Sequence, residues 1–457
     1  MDDAVYQYQH ARSPKELLFQ FTRCMVHFAV DDAQVKFCTR LQGKASWFLP
    51  FNKGYKDGAG NPPNPDGLMT DYLWKQILTK DMLSRIIENY ATLVEEKDEE
   101  TGKTRYKQIF LRYHQLTAVE SLLADVKKNG VGNRYLIQHS AGSGKSNSIA
   151  WLAHQLTGLE DAQGNLLVDS VIVVTDRVVL DKQIRDTIKQ FAQVGNIVAW
   201  AEHSGDLRKA IEDGRRIIIT TIEKFPYVLP EIGEDHKDRH FAIIIDEAHS
   251  SQNGKTAGTM NMTLSAIMSD PDMDNEDKIN AMCEGKKLLT NASYFAFTAT
   301  PKNKTLETFG TAYEDAGVIK HRPFHVYTMK QAIQEGFILD VLKYYTPIDS
   351  YYRLKKTVED DPMFDKKKAQ KKLRAFVENQ TFTIAQKADM MVSHFHEQVI
   401  AKGKIGGQAR AMIITSSIER CIEYYHAVNK CLANRHSPYK AIIAFSGESS
   451  WTRMRLP

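Results

Sequence analysis

The stretch that most constrains this chain is residues 133–149, reading NRYLIQHSAGSGKSNSI. A short apolar run with a tyrosine and a β-branched residue predicts a strand. Small residues with two glycines predict a tight loop, and the residues beyond Lys145 resume at helical spacing. In such a strand–loop–helix turn the backbone N–H groups converge on the free N-terminus of the helix, where aligned peptide dipoles favour an anion. Gly142, Ser143 and Gly144 are therefore candidate phosphate-cradling residues. Lys145 reaches toward the β- and γ-phosphates of a nucleotide, and Ser146 offers its hydroxyl to Mg2+. The full phosphate-loop spacing asks for glycine five residues before Gly144, where this chain has His139. The remaining G-S-G-K-S still supplies the turn and both side chains.

Composition sets the frame. A chain of 457 residues predicts about three domains, since domains run at roughly 100 to 200 residues each. The formal charge of +4, from 60 Lys and Arg against 56 Asp and Glu, permits nucleic acid as a partner without arguing for it. The five cysteines are scattered and form no C-x-x-C pair, which disfavours a disulfide framework or a zinc site and suits a reducing cytoplasm. No apolar stretch approaches the roughly 18 residues that cross a bilayer, so a membrane role is not expected.

Residues 1–105 read as a smaller α+β region ahead of the domain that carries the phosphate loop. A helical pattern runs from Ser13 through Leu17, Leu18 and Phe21, followed by β-rich runs to Phe51. Gly54 to Gly67 is a Gly/Pro/Asn-rich surface loop, residues 70–93 return to helical periodicity, and Thr92–Lys97 with Thr104–Ile109 flank a charged turn, a hairpin signal. Gln115 then enters a helix just before the phosphate loop. One amide carries both a donor and an acceptor, so it can pair with an adenine edge or simply face solvent.

Beyond the loop, apolar runs recur at Val171–Thr175, Ile197–Trp200, Ile217–Thr221, Phe241–Ile245 and Tyr294–Thr298, with helical or polar segments between. Continuous apolar strands alternating with helices predict a parallel sheet covered on both faces, with ligands at the carboxyl ends of its strands. The Phe241–Ile245 run leads directly into Asp246-Glu247-Ala248-His249. Asp246 there can hold Mg2+ through its water shell while Glu247 orients or deprotonates a water aimed at the γ-phosphate. The glycine turn and the acidic pair are expected to meet on one triphosphate, as abutting crossovers of one sheet. Thr298 and Thr300 end the next strand, where hydroxyls can sense the γ-phosphate. Thr175, Arg177, Thr220 and Thr221 end two more, where a polymer's backbone phosphates can lie. From residue 326 a second α/β segment restarts, with Ala411–Thr415 and Ala441–Phe445 as its strands and room for only part of a sheet.

Several patterns are decoys. Pro65-Asp66 with Glu95-Glu96-Lys97 imitates a metal-dependent nuclease motif, but Asp66 sits in a Pro/Gly loop and Glu95 opens a charged turn. The acidic run Asp270–Asp277 lacks the glycine and the terminal glutamate of a calcium loop. His394 and His396, two apart, point to different sides of a helix. The lysine-rich run Lys366–Arg374 reads as a solvated helix face.

Taken together, Gln115, Gly142–Ser146, Asp246–His249 and Thr298-Ala299-Thr300 resemble superfamily 2 helicase-like motors. Residues 46–54, 58–64, Arg112-Tyr113-His114-Gln115 and Phe297–Pro301 narrow the resemblance to the motor (R) subunit of type I restriction endonucleases. The resemblance implies RecA-like sheets, one complete in 106–325 and one truncated in 326–457. It implies ATP and Mg2+ as cofactors, and ATP-driven translocation of double-stranded DNA beside methylation and specificity subunits. Thr175 to Arg177 and Thr220-Thr221 would then track the DNA. It also implies that residues 1–105 are the tail of a nuclease domain whose catalytic core lies upstream, and that further helicase motifs, with their arginine finger, lie downstream. A strand-separating helicase would need a wedge that no stretch identifies, and an ATP-binding scaffold would have no use for Glu247. Because a missing arginine finger costs on the order of 10³ to 10⁵ in rate, this chain is expected to bind nucleotide and DNA with weak or absent turnover. Phosphate release measured with and without duplex DNA checks this, and vigorous DNA-stimulated turnover contradicts it.

Overall fold

The computed structural model describes residues 1–97, 102, 104–175, 188, 198–201, 204–221, 236–246, 291–340, 381–401 and 410–445. The chain divides into two compact units, residues 1–343 and 344–457.

After a short helix at Asp2–Tyr6 that continues as a π-helical turn at Gln7–Ala11, the first unit forms a small antiparallel sheet of β1 (His27–Val30), β2 (Val35–Cys38) and β3 (Leu49–Pro50). Helix α1 (Lys80–Asn89) follows, and then the predicted hairpin, β4 (Thr92–Lys97) against β5 (Thr104–Ile109). The helix expected beyond Ser13 is reduced to a single 3-10 turn at Leu17–Phe19. Leu17 and Leu18 stay exposed, so that apolar stripe gains no packing, which is where most helical stability in proteins comes from.

The chain then runs through α2 (Tyr113–Asn129), β6 (Arg134–His139), α3 (Lys145–Thr157), β7 (Ser170–Thr175), β8 (Val198–Trp200), α4 (Ser204–Glu212), β9 (Ile217–Thr221), β10 (Phe241–Ile245), β11 (Ala292–Thr298) and α5 (Asn303–Phe309). A hairpin of β12 (Thr311–Asp315) and β13 (Val318–Arg322), then β14 (His325–Tyr327) and α6 (Met329–Gln334), complete it. Seven strands form one parallel sheet in the order β14-β6-β11-β10-β7-β9-β8, a RecA-like α/β fold.

The reason is written in the strands. Successive side chains point to opposite faces, and here both faces are apolar. Ile137, Val171, Val173, Ile217, Ile219, Ala242, Ile244 and Phe295 face a core shared with α2 and α3. Leu136, Ile172, Val174, Ile218, Ile243, Ile245 and Tyr294 face the core under α4 and α5. The first of these cores continues without a break into the leading region through Phe37, Phe51, Tyr72, Ile86 and Tyr90.

Strand β14 and helix α6 lie beyond the residue-325 boundary drawn from the sequence, yet β14 pairs with β6 inside the first sheet. Helix α5 runs from the carboxyl end of β11 back to the amino end of β6, where Arg134 donates to the Thr308 carbonyl at 3.2 Å. The solvent-exposed β12–β13 hairpin that follows is therefore at the opposite end of the strands from the phosphate loop.

In the second unit, α7 (Thr381–His394) and α8 (Ile418–Asn434) pack through Ala388, Val392, Val428 and Leu432. The strands expected at 411–415 and 441–445 are not formed: neither segment joins a ladder among the described residues. Met412, Ile414 and Ile442 are at least 85% exposed, so the burial that would hold such strands in a sheet is missing. Segments 270–277 and 366–374 lie outside the described residues. Among those described, no helix is long and apolar enough to cross a membrane.

Two isoleucines test this layering. Ile244→Ala, on the buried central strand, should cost about 2–5 kcal/mol. Ile319→Ala, on the exposed hairpin, should stay within about 0.5 kcal/mol. Urea unfolding midpoints measure both.

Candidate nucleotide site

The loop between β6 and α3 takes the shape expected of it. Gly142 and Gly144 have φ of +71° and +76°, the left-handed region that glycine enters without penalty. His139, where the longer pattern would have glycine, is the last residue of β6 and has ordinary strand geometry. No glycine is needed there.

What holds the loop is the first turn of α2. Arg112 donates to the Gly142 carbonyl at 2.9 Å, His114 Nε2 to the Ser143 carbonyl at 3.0 Å, and Gln115 Nε2 to the Gly144 carbonyl at 3.0 Å. Three successive carbonyls are thus drawn to one side. Among the described residues, the amides of Gly142, Gly144 and Ser146 have no backbone acceptor, and the Ser143 hydroxyl is buried without a partner. These free donors stand at the N-terminus of α3, which is the donor set that a chain of phosphates requires. Lys145 Nζ lies 3.5 Å from the His139 carbonyl, folded back over the loop, and Ser146 is half-buried.

Gln115 has both functions of its amide engaged within the protein. Its Oε1 accepts from the Arg112 N–H at 2.9 Å while its Nε2 holds Gly144, so both functions of the amide already brace the loop. A Cβ on residue 144 would fall 2.6 Å from that Nε2, which is a second reason for glycine.

The other strand ends share the loop's edge of the sheet. Strand β11 lies between β6 and β10, so the phosphate-loop strand and the acidic strand are not neighbours as expected. They stand two strand spacings apart, roughly 10 Å. Asp246 is 5% exposed, and its N–H extends the ladder to the Val174 carbonyl at 2.9 Å. Glu247 and Arg177 lie outside the described residues. Thr298 is buried and level with Gln138, while Thr300 is exposed. Thr175 and Thr221 are register partners, but Thr175 and Thr220 are at most 1% exposed. Thr221, at 5%, is the least deeply buried of the three residues. Asp66 and Glu95 are both exposed to solvent, and His396 spends both ring nitrogens on the Val392 carbonyl and the Ser437 hydroxyl.

Sequence reasoning missed a buried histidine chain behind the loop. The Thr117 hydroxyl donates to helix carbonyls and so must accept from His325 Nε2, at 3.1 Å. His325 Nδ1 then accepts from His139 Nε2 at 2.9 Å, leaving His139 Nδ1 buried without a partner. Tyr327 stacks on His114 with centroids 3.8 Å apart. The R-x-H-Q spacing in one helical turn was a legible signal for the clamp. Nothing local marked His325 or Tyr327, almost two hundred residues away.

A family model described as SWI2/SNF2 ATPase matches residues 114–375. The endonuclease subunit of the type I restriction enzyme SauMSSORF170P from Staphylococcus aureus (strain MSSA476) is 27% identical over 235 residues, 50% of this chain but only 21% of that relative. The C-terminal part of the type I restriction enzyme MpnIIP endonuclease subunit from Mycoplasma pneumoniae is 32% identical over 160 residues, covering 32% of this chain and 74% of the relative. A solved fragment of a type I restriction enzyme subunit from Vibrio vulnificus YJ016 aligns over 90% of this chain and 57% of its own, with 14% identity and a TM-score of 0.40.

The histidine chain carries a pH prediction. Burial pushes His325 down to about 4 and holds His114 and His139 well below their ordinary value, with the neighbouring positive charges adding to it. Below about pH 6.5 the unfolded chain takes up protons that the folded one refuses. Stability is therefore whole above pH 6.5 and drains as the pH falls toward 4. At about 1.4 kcal/mol per pKa unit, His325 alone accounts for on the order of 3 kcal/mol. Unfolding midpoints across that window should show this slope, and His325→Gln should flatten it.

Proposed function

We propose, from the premise that this chain belongs to the SWI2/SNF2 ATPase family and, within it, to the endonuclease (R) subunits of type I restriction enzymes, that it hydrolyses ATP to translocate double-stranded DNA before cleavage. The observation that supports this most is the capture of the Gly142, Ser143 and Gly144 carbonyls by Arg112, His114 and Gln115. That capture turns a row of amide donors toward one point at the head of α3, on the same edge of the sheet as Asp246.

Magnesium-bound ATP would bring the scissile γ-phosphate and a divalent charge to balance it. In this reading the loop amides and Lys145 hold the phosphates, and Ser146 and Asp246 are the residues that would hold the metal. Glu247, next to Asp246 in the chain, takes a proton from the attacking water or orients it. Thr298 and Thr300 relay the occupancy of the γ-phosphate position. Thr221 and Arg177, with Thr175 and Thr220 supporting those strand ends, contact the DNA backbone. Residues 1–105 serve as the tail and linker of a nuclease domain, 106–343 as the first motor domain, since β14 and α6 belong to its unit, and 344–457 as part of the second. The methylation and specificity subunits of a restriction–modification complex are the partners, and target recognition is theirs. Strand separation by the exposed β12–β13 hairpin is disfavoured, because that hairpin sits at the far end of the sheet from this site.

In the assembled complex, Glu247→Gln should leave nucleotide affinity unchanged and lower ATP turnover by about 10² to 10⁴. Displacement of a triplex-forming strand should fall with it, without unwinding of the duplex. Undiminished turnover in that variant, or strand separation by the unmodified complex, would defeat the proposal.

A further inference from the structure

The Gly-rich motif at residues 54–60 has no place in the chemistry above, yet its geometry is demanding. Tyr55 and Gly58 exchange backbone hydrogen bonds at 2.8 and 2.9 Å around Lys56 and Asp57. Both of those residues have positive φ, 47° and 61°, a conformation that non-glycine residues enter at a cost. The turn presents its carbonyls to helix α6. Thr328 donates to the Asp57 carbonyl at 2.6 Å, Lys330 to the Lys56 carbonyl at 3.3 Å, and Gln334 accepts from the Ala59 N–H at 2.7 Å. Gly54 and Gly58 lie so close to α6 that a Cβ would fall 2.8 Å from Gln331 and 2.5 Å from Gln334.

From α6 the contacts run to the phosphate loop without a gap. Gln331 donates to Glu335 at 2.9 Å, and the Tyr327 hydroxyl donates to the other oxygen of that carboxylate at 2.7 Å. Tyr327 in turn stacks on His114, and its carbonyl accepts from the Ser140 N–H at 3.0 Å. Phe337 and Ile338, just past α6, stand within 3.5 Å of where a Cβ on Gly142 would be, and Arg112 lies over the Phe337 ring at 4.1 Å. The phosphate loop is therefore held on one side by α2 and on the other by the segment from Tyr327 to Ile338, which in turn rests on the 54–60 turn.

We propose that the turn at residues 54–60 is a positioning element for the phosphate loop: by seating helix α6 through Thr328, Gln331 and Gln334, it keeps Tyr327 and Phe337 pressed on the loop and so sets nucleotide affinity from the leading region. This rests on the ATP-binding reading, and it makes Tyr327, Gln331, Gln334 and Glu335 positioning residues that touch no nucleotide. It gives the leading region a means of answering to, and acting on, the state of the motor.

Two variants of the full chain test it: Gly58→Val, whose side chain takes the place of the Gln334 amide and so breaks its bond to Ala59, and Gln334→Ala, an exposed position whose loss leaves the cores intact. Amide hydrogen exchange in residues 140–146 should rise about fivefold or more, and affinity for the non-hydrolysable analogue AMP-PNP should fall by a similar factor. Exchange in β10 should stay at its original rate. Unchanged exchange at 140–146 in both variants overturns the proposal, as does a rise spread equally through β10, which marks general destabilisation. Failure of the unmodified chain to bind AMP-PNP, with exchange at 140–146 still rising selectively in the variants, defeats the ATP-binding reading and leaves the brace supported.

Discussion

The structure turns on three hydrogen bonds that no pattern of hydrophobicity describes. A loop that binds phosphate must point several N–H groups the same way, and its carbonyls are then forced together on the other side. In this chain those carbonyls are taken up by Arg112, His114 and Gln115, three side chains of different reach from one helical turn. Arg112 is buried, and burial lowers its pKa from the ordinary value while Tyr327 and Glu335 act the other way. A charge-assisted bond in such surroundings is stronger than one in water, and leaving the carbonyl without it would be costly.

The rest of the first unit supplies the ground on which that clamp stands. Alternation along each strand buries both faces of the sheet, so the carboxyl ends of β6, β11, β10, β7 and β9 form one edge. The leading region shares a core with α2 and α3, so it packs against the helices that flank the loop. Tyr90 illustrates the point. Its ring meets the Trp151 ring of α3 edge-on at 5.5 Å, and its hydroxyl donates to Glu120 of α2 at 2.8 Å.

The behaviour of the histidines follows from the same burial. An exposed imidazole near the phosphate loop would titrate near neutrality and alter the charge beside Lys145. Here the Thr117–His325–His139 chain has its protons assigned by a hydroxyl that must donate elsewhere, and burial keeps all three imidazoles around the loop neutral well into the acid range. The loop's electrostatics are thereby left to Lys145, Arg112 and the head of α3.

How much of this was legible in the linear chain depends on the range of the interaction concerned. The strand at Phe241–Ile245, the turn at Gly142–Gly144 and the hairpin at Thr92–Ile109 could be read directly, because apolar runs, glycines and paired β-runs act over a few residues. Local pattern misled at Leu17–Phe21 and at 411–415 and 441–445, where Leu17, Leu18, Met412, Ile414 and Ile442 stay exposed instead of packing. The intervening position of β11, the double duty of Gln115, and the joining of His325 and Tyr327 to the loop came only from the folded chain. By itself the sequence determined an α/β sheet with a phosphate loop and an acidic strand end, since periodicity and glycine placement encode those locally. Tertiary structure alone decided what presses on that loop, because hydrogen bonds and stacking between residues almost two hundred positions apart leave no periodic trace in the chain.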